Sequence, residues 1–108
     1  MENVNFIVIG HVDSDLLIVH KDDYKKLTKE TSAEEKFKTF SKVNSFKVDL
    51  NGDRIFGPSI IDIWLKYIDF EEVGEEEQDL YIKIIERKLS DSKIKELQDK
   101  LDENKYIE

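Results

Sequence analysis

Between Pro58 and Phe70 the chain is apolar almost all the way round. Read as a helix, this segment places Ser59, Asp62, Lys66 and Asp69 on one narrow polar stripe, because they are spaced three, four and three. Ile60, Ile61, Ile63, Trp64, Leu65, Tyr67, Ile68 and Phe70 fill the remaining surface. A surface helix needs only about a third of its circumference apolar. This one must therefore pack on a sheet with other elements beside it, or offer its surplus face to a partner. Pro58 suits a first helical position, where its missing N–H is no loss.

The strands such a helix requires are short. Phe6-Ile7-Val8-Ile9 is a largely β-branched run ended by Gly10, and Leu16-Leu17-Ile18-Val19 follows closely enough to form a hairpin with it. Ser45 to Leu50 alternates, with Phe46, Val48 and Leu50 on one face and Lys47 and Asp49 on the other. Asn51-Gly52-Asp53 signals a turn, after which Arg54-Ile55-Phe56 runs on to Gly57. The β-branched content of Leu80 to Ile85 predicts another strand.

Two further helical stretches are expected. Residues 21–42 read as a broken helix: Asp22 and Asp23 suit its first turn, and Ser32 with Glu35 forms a capping box that restarts it toward Phe37 and Phe40. Ser90 or Asp91 caps a last helix with Ile94, Leu97 and Leu101 as its core side, and Asp91–Lys95 and Glu96–Lys100 as pairs on its wet side. Tyr106-Ile107 adds an edge strand or frays. Strands separated by helices imply crossover connections. The expected fold is one small α/β domain over residues 1–108, with a mixed, mostly parallel sheet of four to five strands and helices packed against it.

Charge narrows the function classes. The chain carries 17 Lys and Arg against 25 Asp and Glu, a net charge of −8. That balance argues against a nucleic-acid partner, whose phosphates are met by basic side chains. With no Cys there is no disulfide scaffold, thiolate metal site or cysteine nucleophile. The longest apolar runs are short of a bilayer span, and the acidic start MENVN does not resemble a secretory signal, so no membrane contact and a cytoplasmic location are expected.

Chemistry is sparse. Asp49-Leu-Asn51-Gly-Asp53 opens like a calcium loop, but Arg54 stands where the sharp turn needs Gly and Ile60 where the bidentate Glu belongs. His11, Asp13, Asp15 and His20 match no metal-ligand spacing. No nucleophile elbow or phosphate-cradling loop is present. The expectation is a protein that is not an enzyme and takes no metal or cofactor. Two features remain. Ser59, if it opens the apolar helix, is either a simple cap with Asp62 as partial partner or a hydroxyl at a positive helix end where a phosphate would be stabilised. Glu71 to Asp79, with six carboxylates in nine residues, is either a solubilising, self-repelling loop or a dock for a basic protein surface.

The stretch VDLNGDRIFGPSIIDIWLKY, Val48 to Tyr67, resembles the signature of STAS domains, the fold of anti-sigma-factor antagonists. Asp49, Leu50 and Gly52 are similar to that family's strand end, Ser59 falls on its second motif serine, and Leu65-Lys66-Tyr67 resembles its helix tail. Ile9-Gly10-His11-Val12-Asp13 is similar to its Gly-x-Leu-Asp segment. Gly57-Pro58-Ser59-Ile60 stands in place of the family's Asp-Ser-Ser-Gly, so the motif Asp and the following Gly are absent.

The resemblance implies a non-catalytic regulatory module, with Ser59 as phospho-acceptor position and the N-terminal end of the 58–70 helix meeting a kinase-like partner. The alternative is a small acidic inhibitor, a toxin-immunity protein or phage-encoded antagonist, covering a basic enzyme surface. Across both, the expected partner-binding set is Asp13, Arg54, Gly57, Ser59, Asp62, Glu75, Glu76 and Glu77, on a monomer or weak dimer.

Overall fold

A computed structural model of the chain describes residues 4–28, 43–60 and 71–104. Strands β1 (Phe6–Val12) and β2 (Asp15–His20) form the expected hairpin, and α1 (Lys21–Thr28) follows at once. β3 (Asn44–Asp49) and β4 (Arg54–Ile60) form a second hairpin around Asn51-Gly52-Asp53. A two-residue strand, β5 (Glu71–Glu72), precedes a 3-10 turn (Glu75–Glu77) and helices α2 (Gln78–Lys88) and α3 (Asp91–Asn104).

The sheet order is β4-β3-β2-β1-β5, and every pairing is antiparallel. The expected mixed, mostly parallel sheet is thereby overturned. Its premise was a strand at Leu80–Ile85, and those residues lie inside α2. Without that strand no strand–helix–strand crossover is required, and a long connection can equally return the chain antiparallel, as between β2 and β3. The run was ambiguous in period: Ile82, Ile85 and Leu89 are buried at a helical spacing, while Leu80, Lys83 and Glu86 are exposed. Asp79 at the start and Arg87 and Lys88 at the end complement the helix dipole.

A second correction concerns Pro58 to Ile60, which finish β4 and do not open a helix. Pro58 fits there because an edge strand tolerates a residue without an N–H. Ser59 pairs with Ser45 and Phe56 with Lys47, so Gly57 and Pro58 together oppose Phe46 in a bulge. Gly57 has φ 129°, and a Cβ on it would meet the Ser45 carbonyl oxygen at 2.8 Å and Phe46 Cδ1 at 3.0 Å. The remainder of the expected 58–70 helix, the second half of the 21–42 helix and Tyr106-Ile107 lie outside the described residues.

The core forms between one sheet face and the last two helices. Phe6, Val8, Leu16, Ile18, Phe46 and Val48 meet Ile82, Ile85, Leu89, Ile94, Leu97 and Leu101. Polar clasps surround this contact. His20 Nδ1 accepts the Asp22 N–H at 3.0 Å, which fixes the other ring nitrogen as the donor to Asp102 Oδ1 at 2.7 Å. Asn5 Nδ2 donates to the Gln98 carbonyl and to Asp102. Ser90 caps α3, its hydroxyl accepting the Lys93 N–H at 3.3 Å. The opposite sheet face is shielded too, with Leu17 and Val19 buried.

Candidate protein-binding surface

The structure distributes the expected site residues over the whole sheet. Asp13 sits exposed in the β1–β2 turn with φ 50°. Arg54 begins β4 at the same end, since the Leu50 N–H donates to the Ser14 carbonyl and ties the two hairpin turns together. Its guanidinium reaches Asp49 at 3.3 Å. Gly57 is exposed midway along β4. Ser59 is half-buried near the far end of that strand, and its carbonyl accepts the Ser45 hydroxyl at 2.8 Å. Asp62 lies outside the described residues. Glu75, Glu76 and Glu77 are exposed beyond the opposite edge, four strand spacings or roughly 19 Å away. No single surface collects Ser59 with the glutamates. As part of a strand, Ser59 also lacks the helix-end N–H groups on which its anion-binding role depended.

The acidic segment is more ordered than a loop. Glu71 pairs with His11 and Glu72 with Gly10, after which Val73 turns inward and is buried. Gly74 then leads into the 3-10 turn, which runs directly into α2. One turn further, Leu80 is 59% exposed, and among the described residues it is the only large apolar side chain so displayed. Glu76 and Glu77 lie about one turn before it and Asp79 adjoins it, while Lys83 follows one turn later.

The lysines of α3 are paired within their own helix. On α3, Lys95 pairs with Asp99 at 2.9 Å, and Lys93 and Lys100 with Glu96 at 3.8 and 3.7 Å. The expected Glu96–Lys100 pair is among them, whereas Lys95 turns to Asp99 and not to Asp91. Among the described residues, Glu75, Glu76, Glu77 and Asp79 make no ion pair. The sequence carried a signal for this: no Lys or Arg occurs between Lys66 and Lys83.

A small cluster adjoins this edge. His11 Nε2 lies 3.2 Å from Glu71, and its ring sits 5.4 Å from that of Tyr81. Burial, reinforced by Glu77 and Glu71, pushes the Tyr81 phenol above its ordinary range. This contact was not legible from the chain alone, because it depends on Tyr81 lying on a helix. His20, committed to Asp22 and Asp102, is at the other end of the hairpin, so it does not join His11, Asp13 and Asp15. Among the described residues no three His, Asp or Glu side chains converge as a metal site would need, and no helix is long and apolar enough to cross a membrane.

Comparison with family models, with curated proteins and with solved structures finds no match.

Proposed function

We propose that this chain is a non-catalytic, acidic binding protein that covers a basic surface of another protein through the edge formed by Glu75–Glu77, Asp79 and Leu80. The observation that carries this is the exposed Leu80 among carboxylates without counter-ions. An apolar anchor beside uncompensated negative charge suits fast, steered association followed by tight local packing. The helix-end surface assumed for an anti-sigma-antagonist role loses its basis, because residues 58–60 belong to an edge strand.

The test compares the full-length chain with E75K/E76K/E77K and L80D as immobilised baits for basic proteins. Under this reading, a partner retained by the wild type associates at least about tenfold more slowly with the triple variant, with a weaker salt dependence. It dissociates faster from L80D. Equal kinetics for all three baits would overturn it.

A further inference from the structure

Residues 71–78 run along the outer edge of β1 as a strap. Two of its attachments are backbone contacts: the β5 pairs with Gly10 and His11, and the Val73 N–H donating to the Ile9 carbonyl at 3.1 Å. The last is a side chain. Gln78 Oε1 accepts the Val8 N–H at 2.9 Å, and Gln78 Nε2 donates to the Val8 carbonyl at 2.5 Å. One amide thus occupies both outward backbone groups of Val8, as the next strand of a sheet would. Opposing this, the 71–79 segment concentrates six carboxylates, and repulsion among them favours release.

We propose that Gln78 is the latch of an electrostatically loaded strap: its amide clasp on Val8 holds residues 71–78 closed against the mutual repulsion of their carboxylates. Breaking the clasp lets the strap lift as a unit while β2, β3 and α3 stay folded. Screening by salt, or neutralisation by a cationic surface, holds it down. The cationic-surface step rests on the function proposed above; the latch and its salt response do not.

The experiment follows amide hydrogen exchange at Val8 in the full-length chain and in Q78A, at about 0.01 M and about 1 M salt. A Glu-specific protease gives a second readout at Glu75–Glu77, with Glu96 and Glu103 of α3 as internal controls. The expected result for Q78A is a rise of about tenfold or more in both Val8 exchange and cleavage at the turn, the shift that losing two hydrogen bonds produces. Amides of β2 and β3 keep their rates, and high salt slows Val8 exchange in both proteins. Unchanged Val8 exchange in Q78A, or exchange accelerated by salt, overturns the latch. Should Q78A not fold, Q78E keeps the acceptor for the Val8 N–H but sets a carboxylate against the Val8 carbonyl. Wild-type rates in Q78E, or a salt-independent wild type, are then the overturning results. An oligoarginine peptide that fails to slow Val8 exchange where salt succeeds overturns the cationic-surface step alone.

Discussion

Asp49 closes the β3–β4 turn with its own side chain. Its Oδ1 accepts the N–H groups of Asn51 and Gly52 at 3.1 and 3.0 Å, and its Oδ2 faces the Arg54 guanidinium at 3.3 Å. The Gly52 N–H, helped by Arg54 and Asn51 against some desolvation, holds this carboxyl below the usual carboxylate range. A depressed folded value means stability that is present above the ordinary carboxylate value and lost as pH falls through the lowered one. Asp49→Asn should therefore flatten the acid limb of the stability–pH curve, as measured by urea midpoints across that limb. Gly57 makes a sharper demand, because its positive φ and the nearby Ser45 carbonyl both act against a side chain. Gly57→Ala is expected to destabilise the fold by about 1–3 kcal/mol, measurable by denaturant titration. Tyr81 reports on the acidic edge. Glu77→Gln should bring its titration back toward the ordinary phenol range, read from the tyrosinate absorbance difference against Tyr81→Phe.

At the scale of elements, the His20–Asp102 and Asn5–Gln98 contacts join the β-hairpin to α3 across most of the sequence. His20 is buried, so His20→Ala removes the acceptor of the Asp22 N–H and the contact with Asp102; the expected cost is about 1–3 kcal/mol in urea unfolding. Leu97→Ala, in the middle of α3 and fully buried, should cost more, about 2–5 kcal/mol in the same measurement. The elements differ in how far the chain alone revealed them. The alternating Phe46–Val48–Leu50 strand and the Ile94–Leu97–Leu101 helix were legible because each repeats one period with clear turn or cap residues, and the first hairpin because two short apolar runs, the first largely β-branched, flank the turn residues HVDSD. Leu80–Ile85 misled because four β-branched or aromatic residues outweighed a helical spacing visible only when Leu89 is included. Pro58 misled because the same missing N–H serves a helix start and a strand edge. From those two misassignments the parallel sheet followed. The glutamate turn was legible as a charge run, but its anchor Leu80 was not, since a strand reading would have placed half of that segment inside.

Across the whole molecule the excess of 25 acidic over 17 basic residues is unevenly spread. On α3, Lys93, Lys95 and Lys100 each face a carboxylate of the same helix, whereas among the described residues Glu75, Glu76, Glu77 and Asp79 make no ion pair. Such a field repels itself in the free protein and attracts in a complex, so one set of residues opposes stability and promotes association. The two effects respond to salt in opposite directions. Screening relieves repulsion within the fold and weakens steering toward a basic partner. Glu75→Gln/Glu76→Gln/Glu77→Gln should therefore raise the thermal midpoint at low salt and reduce its dependence on ionic strength, while leaving the high-salt midpoint close to that of the wild type. Calorimetry at several salt concentrations reads both terms. If the acidic edge is there for binding, the same variant gains stability in isolation and loses association rate with its partner. If the carboxylates only keep the chain soluble, the stability change remains and the rate does not move.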